Sequence, residues 1–381
     1  MQFSWTAEQV AFRKRLEEFL SANLPDDWEA VAHHGPGSEE LTEFSRILCG
    51  KLAAERLLTP HWPVEMGGDA LDPWHQIILA EEMWAAGEPR GAQYMNVNWI
   101  GPTLMKYGSA EQKARYLPPI AAGNAIWCQG FSEPGAGSDL ASLRTRATLE
   151  GGQYRVQGQK IWTSYAGLAE TCFLLCRTGD DRKKGISILL VPMNTPGITV
   201  RSIPSLIGEG DIHEVFFDDV IVPVSARLGE EGPAWEIIAY SLTNERLGIP
   251  RYHLARCALD RAVGVLKAEG NFEREAVKLE AAHAAALCEA ARMMSYAIID
   301  RRCRGEAVGA EASSARFATV MAERRVAEFV VEYLPEALGE EHPYLKMHHQ
   351  RGIVAGIAAG AAEIQLNIIA SDVLILPREP R

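Results

Sequence analysis

Hydrophobic positions change their spacing twice along the chain. From residue 7 the run AEQVAFRKRLEEFLSANLP places its apolar residues on one face of a helix and stops at Pro25. Thr6, with Gln9 three residues on, forms a capping box ahead of it. ILAEEMWAAG and SAEQKARYLPPIAAG predict further helices, the second with Ser109 as N-cap and Pro118 as its expected end. Near residue 125 the spacing shortens to strand-like runs: QYRVQGQKIWTS, ETCFLLCRT, KGISILLVPM, GITVRSI and EVFFDDVIVPV. Turn signals such as GDDRKKG and NTPG separate them. From about residue 233 helical spacing returns. Leu254, Ala258, Ala262 and Leu266 recur every four residues, and EAVKLEAAHAAALCEAARMMSYAII, ASSARFATVMAERRVAEFVVEYL and the apolar segment GIVAGIAAGAAEIQLNIIA follow. Four long helices with short connections predict an antiparallel bundle. The expected division is an N-terminal helical domain over 1–124, a central β domain over 125–230 and a C-terminal helical bundle over 231–381.

Composition narrows the function classes. The chain has 381 residues, 47% of them apolar, so a sizeable core is available. A formal charge of −12 argues against nucleic acid as a partner, since a duplex needs a basic face. Seven cysteines, widely scattered and without CxxC spacing, argue against a disulfide framework or a zinc site. The first residues, MQFSWTAEQVAFRKRL, carry no apolar signal core, and no apolar run reaches the roughly 18 residues of a membrane span. A cytoplasmic protein without membrane insertion is the expectation. His342, His348 and His349 lie in a polar stretch and are expected to face solvent rather than bind a metal. A dinucleotide GxGxxG in βαβ context, a P-loop, HExxH and GxSxG are all absent.

Two segments in the β block stand out. One is Trp127-Cys128-Gln129-Gly130-Phe131-Ser132-Glu133-Pro134-Gly135-Ala136-Gly137-Ser138-Asp139; the other is Lys160-Ile161-Trp162-Thr163-Ser164-Tyr165. Together they resemble the two flavin-contacting loops of the acyl-CoA dehydrogenase family, and the helix–β–helix order over nearly the whole chain agrees. The resemblance implies the fold of that family: N-terminal helices, a central β-barrel-like domain and a C-terminal four-helix bundle. It also implies FAD as cofactor. Gln129, Phe131, Ser132, Trp162, Thr163, Ser164 and Glu363 would contact it, and Ser138 would face the thioester arm of an acyl-CoA substrate. The physical sense is that hydride arrival leaves negative charge on a flavin ring, which backbone N–H groups and small hydroxyls stabilise. Gly135 and Gly137 would let the backbone approach closely.

The reaction needs a carboxylate base for a weakly acidic α-proton. The family's commoner base position, in Ala358-Ala359-Gly360-Ala361-Ala362-Glu363-Ile364-Gln365, falls on Ala359 and is vacant. The alternative position, a Glu-Arg pair on a helix after the β domain, is filled by Glu245-Arg246 within LTNER, as in isovaleryl-CoA-dehydrogenase-like enzymes. The resemblance therefore implies Glu245 as base and Arg246 as a support for the base helix or the CoA arm. Pro250 lacks an N–H and is expected to kink that helix. Other positions depart from the family. Glu269 stands where an arginine for the FAD pyrophosphate is expected, the turn Tyr333–Gly339 keeps one glycine, and Ala361 replaces a threonine. Members acting on bulky CoA thioesters as two-chain heterotetramers are similar in this respect, so a tetramer, possibly with a homologous chain, is implied. Electron-transfer flavoprotein is the implied electron acceptor. The alternatives are an acyl-CoA oxidase or flavin monooxygenase of the same fold, or a non-catalytic subunit of a heteromeric enzyme.

Overall fold

A computed structural model describes residues 4–32, 37–247, 249–306, 308–339, 341–358 and 360–377. Its helices are α1 (Ala7–Asn23), α2 (Trp28–Ala32), α3 (Glu39–Ala54), α4 (Pro73–Ala85), α5 (Gln93–Met95), α6 (Gly101–Tyr107) and α7 (Ala110–Ala121), then α8 (Trp235–Leu247), α9 (Arg251–Ala268), α10 (Glu275–Cys303), α11 (Glu311–Tyr333), α12 (Pro343–Ile353) and α13 (Ala362–Ile368). Between the two groups lie β1 (Trp127–Gly130), β2 (Arg146–Glu150), β3 (Gln153–Ser164), β4 (Thr171–Arg177), β5 (Ile186–Pro192), β6 (Ile198–Ser205), β7 (Gly208–Pro223) and β8 (Arg227–Leu228). The expected order of helices, strands and helices is therefore the observed one. Among the described residues no helix is long and apolar enough to cross a membrane.

The chain packs as two compact units. The first joins Met1–His33, Ala70–Pro89 and Glu245–Arg381; the second joins His34–Asp69 and Arg90–Asn244. In the second unit the strands form one sheet in the order β6-β7-β3-β2-β4-β5-β8, with β1 added parallel to β4. β4 and β5 are buried along their length, and this explains their continuous apolar runs. Their inward residues meet Cys128, Tyr154, Val156, Phe217 and Val220 in one core. Edge strand β6 shows no such burial. Two side chains connect the helices of this unit to the strands and to each other. Trp62 donates from Nε1 to the Val97 carbonyl at 3.1 Å, and Gly101 leaves room for its ring, which a Cβ would approach to 2.2 Å. Asn96 bonds the Ala125 carbonyl and accepts from Trp127 N at 3.2 Å, which fixes the entry to β1.

In the first unit, Leu254, Ala258, Ala262 and Leu266 of α9 are all buried, as their spacing predicts. A single carboxylate connects four helices there. Glu81 of α4 is 1% exposed. It accepts from Arg13 of α1 at 2.6 Å, from Tyr252 of α9 at 2.9 Å and from Tyr296 of α10 at 2.8 Å. Trp5, Trp74 and Tyr296 pack edge-to-face beside it, with Arg13 over the Trp5 ring.

Local signals set several boundaries. Thr6 and Gln9 cap α1 reciprocally, and Ser109 and Gln112 do the same for α7. The strand expected at QYRVQGQKIWTS is β3, residue for residue. Four expectations are corrected. Pro118 does not end α7, which runs on through Pro119 to Ala121. Leu117 and Ile120 are buried on one face, and the Pro118 and Pro119 carbonyls accept from Ala122 and Asn124. The last apolar segment is not one long helix. α12 ends at Ile353 and α13 begins at Ala362, because Gly356 and Gly360 between them adopt φ of +84°. Pro250 does not kink a continuous helix: α8 ends at Leu247 and α9 starts anew at Arg251. His348 does not face solvent. It lies on the buried side of α12 with Tyr344, Leu345 and Met347, and burial holds its pKa down at about 3. His342 and His349 are half-buried. Among the described residues no group of three or more His, Cys, Asp or Glu is placed to hold a metal ion, and all seven cysteines are free.

Replacing Glu81 with alanine would leave the Arg13 charge and two buried phenols without their shared acceptor. Urea denaturation should show a loss of about 3–5 kcal/mol in the unit that holds them, in line with breaking a buried ion pair from one side. A loss below about 1 kcal/mol would show that Glu81 does not carry this network.

Candidate functional site

The two segments singled out in the sequence meet on the sheet of the second unit. Gln129 and Gly130 end β1, and the loop Phe131–Asp139 follows. Glu133 and Ala136 exchange both main-chain hydrogen bonds, at 2.8 and 3.0 Å, so the Pro134-Gly135 corner is a tight turn. Gly135 and Gly137 have open space where a Cβ would stand. On β3 the register against β7 slips between Lys160 and Thr163. Lys160 pairs with Val215 and Thr163 with His213, so three steps on β3 meet two on β7. This is a β-bulge. Within it Trp162 takes a φ of +58°, and Tyr165 just beyond takes +59°.

Lys160 joins the two loops. It is fully buried and donates from Nζ to the Phe131 carbonyl at 3.0 Å and to Glu133 Oε1 at 2.8 Å. Glu133 also accepts from the N–H groups of Arg144 and Thr145, at 2.6 and 2.8 Å. Burial by itself would raise the Glu133 pKa. The Lys160 ammonium and those two N–H groups outweigh it and hold the carboxyl below its usual range. One main-chain bond, from Ile161 N to the Ser132 carbonyl at 3.0 Å, completes the join. Gln129, Phe131 and Ser132 are thus brought together with Trp162, Thr163 and Ser164.

This platform has features unusual for an interior strand. Trp162 is 58% exposed, so it is not a core aromatic. Thr163 is 1% exposed, yet its Oγ1 has no hydrogen-bond partner among the described residues, and neither does the buried Nε2 of Gln129. Buried polar atoms are nearly always paired. An exposed indole beside unpaired polar atoms fits a flat heteroaromatic group with nitrogen and oxygen atoms on its rim. Phe131 packs against Phe173 beneath, with ring centroids 6.0 Å apart.

The other sequence-derived residues are placed as follows. Ser138 is exposed on the same loop, next to Asp139, which takes both carboxylate bonds from Arg182 at 2.6 Å. In the first unit, Glu245 is half-buried near the end of α8. The side chain of Arg246 and all of Ala359 lie outside the described residues. The neighbours of Ala359 are held to α11: Arg324 donates to the Ala355 carbonyl at 2.7 Å and Arg316 to the Ala358 carbonyl at 3.4 Å. Glu363 is exposed in the first turn of α13. Glu269 is exposed at the end of α9 and bonds Asn271 at 3.1 Å. Sequence reasoning did not assign the joining role of Lys160 and Glu133, although both residues stand inside the two segments. It also missed Asn96, which no motif marks.

Three family models match the chain in succession: the acyl-CoA dehydrogenase N-terminal domain over 6–124, the middle domain over 128–220 and the C-terminal domain over 234–374. The chain is 34% identical over 390 residues to acyl-CoA dehydrogenase IpdE1 of Mycolicibacterium smegmatis, covering 98% of this chain and 99% of that one. Among solved structures it is similar to the Tcur3481-Tcur3483 steroid ACAD, with a TM-score of 0.90, 30% identity and both chains covered in full. It is also similar to the ChsE4-ChsE5 complex from Mycobacterium tuberculosis, with a TM-score of 0.89, 27% identity and the same coverage. Members of this family generally bind FAD. With the fold, the joined loops and these relatives in agreement, the chain belongs to the acyl-CoA dehydrogenase family and is an oxidoreductase.

Proposed function

We propose that this chain converts an acyl-CoA thioester to the trans-2-enoyl-CoA, with Glu245 as the base that takes the α-proton. The observation that carries the reading is the platform of Phe131, Ser132, Trp162, Thr163 and Ser164 held by Lys160, with Thr163 Oγ1 and Gln129 Nε2 buried and unpaired. FAD bound there supplies the acceptor for the β-hydride. Trp162 would flank the ring, Thr163 and Gln129 would hydrogen-bond its polar rim, and the Ser132 and Ser164 region would add small donors. Ser138 faces the thioester arm. Arg246 steadies the base helix or the CoA arm, and Glu363 contributes a cofactor contact from α13. Glu245 is favoured as base because the family's other base position is occupied by Ala359, which has no proton acceptor. Electron-transfer flavoprotein takes the electrons onward.

The same reasoning favours a heteromeric tetramer acting on a bulky, sterol-derived thioester. Where the family offers an arginine to the FAD pyrophosphate, this chain presents the exposed carboxylate of Glu269. A diphosphate in a protein interior needs counter-charge, and a homologous chain with the arginine in place would provide it. Two of the similar structures are a steroid ACAD and a two-component complex, which agrees.

Glu245→Gln should retain bound flavin and lose turnover by about a factor of 10³ or more, the range for a positioned acid–base group with its supporting geometry. Near-normal turnover in a dye-reduction assay would remove Glu245 from the role. Flavin content separates the assemblies. The chain purified alone should be colourless or under-occupied, and co-expression with a homologous partner should give about one FAD per pair of chains. A fully active yellow homotetramer with one FAD per chain would end the two-chain proposal.

A further inference from the structure

The strand beside the bulge carries a buried histidine that the flavin reading leaves unused. His213 on β7 is the register partner of Thr163 on β3 and of Ser202 on β6. Register partners on antiparallel strands project to the same face of the sheet. His213 is 5% exposed, and its Nδ1 is buried with no hydrogen-bond partner among the described residues, as is Thr163 Oγ1 opposite it. The ring fills the space over Gly167, where a Cβ would come within 2.8 Å of Nε2. A side chain at 167 and an imidazole at 213 therefore exclude each other. The segment they enclose, Thr163 to Gly167, contains Tyr165 at positive φ, whose N–H is tied to the Asp211 carbonyl at 2.9 Å.

We propose that His213 is a positioning residue for the flavin-contacting loop: its imidazole, wedged between Thr163 and Gly167 on the buried face of the sheet, sets where the Trp162-Thr163-Ser164 bulge stands. The proposal rests on the flavin reading above. The ring suits this place when neutral, because a buried imidazolium without a counter-charge is unfavourable. Burial keeps the His213 pKa below its ordinary value, while the Thr163 main chain bonds the ring and acts in the opposite direction. The charged groups on the packed strands are already engaged. Asp211, two residues back on β7, accepts from the Gly37 N–H at 2.6 Å, and Lys160 on β3 is bonded to Glu133. Glu214 on β7 accepts from Gln159, and Arg201 on β6 lies over the Phe216 ring.

The sign of the pH effect follows. A histidine whose folded pKa is depressed contributes its full stabilisation above its unfolded pKa of about 6.5, and loses it as pH falls below that value. Loop order, and with it flavin affinity, should weaken in acid.

The test is FAD affinity of the chain co-purified with its homologous partner, read from quenching of flavin fluorescence between pH 5 and 8, beside the melting temperature. His213→Ala should weaken FAD binding at pH 7.5 about tenfold or more and flatten the acid limb. His213→Gln keeps a terminal amide near the Nε2 position and has no titrating ring. It should restore most of the affinity while the acid limb stays flat, with the melting temperature of the flavin-free protein little changed; a general loss of packing would instead lower that melting temperature. Gly167→Ala, which removes no polar group, should weaken FAD binding by displacing the ring, and this holds even if His213→Ala fails to fold. Unchanged affinity in Gly167→Ala, or an acid limb that persists in His213→Gln, would overturn the proposal. A wild-type assembly with the partner that binds no FAD at any pH would instead overturn the flavin reading beneath it.

Discussion

The site depends on one buried charge pair. Lys160 and Glu133 come from loops more than two dozen residues apart in sequence, and each carries one of the two segments that would contact a cofactor. Burying an ammonium and a carboxylate is unfavourable unless every remaining donor and acceptor is used. Here Lys160 reaches Glu133 and the Phe131 carbonyl, and Glu133 also accepts from two main-chain N–H groups. Held by these bonds, the pair has geometric consequences that a hydrophobic pair would lack. It fixes the Phe131 carbonyl, and hence where the first loop turns, relative to the bulge of the second.

The bulge then explains the exposed indole. A regular β3 would place Trp162 in alternation with its neighbours, and a tryptophan on the inner face would join the core. The extra residue and the positive φ at Trp162 turn it outward instead. Strain of this kind persists where the surroundings over-determine it. Here those surroundings are Lys160 on one side and the Tyr165–Asp211 main-chain bond on the other. The first unit solves a similar problem with the Glu81 carboxylate, where one buried acceptor satisfies an arginine and two phenols from three other helices.

Where sequence reading and structure part, the reasons are local. A proline ends a helix only if nothing favours continuing it, and in α7 buried Leu117 and Ile120 favour continuation past Pro118. Small apolar residues at helical spacing suggest one helix over 352–370, but Gly356 and Gly360 release the backbone to positive φ and split it. His348 reads as a surface residue because its neighbours are polar; its position one turn on from Tyr344 puts it inside.

By itself the sequence determined the order of helices, strands and helices, the caps at Thr6 and Ser109, the limits of β3 and the family. Each of these is written in short-range spacing or in contiguous motifs, where residue type and local backbone preference are enough. It also named the loop residues that could hold a flavin. Only the tertiary structure decided what holds those residues. The reach of Lys160 to Glu133, the register that sets His213 opposite Thr163, and the closing of Tyr165 on Asp211 are contacts between distant positions. Chain spacing carries no record of them, because they arise when strands pair and one residue of mismatch turns a side chain from one face to the other.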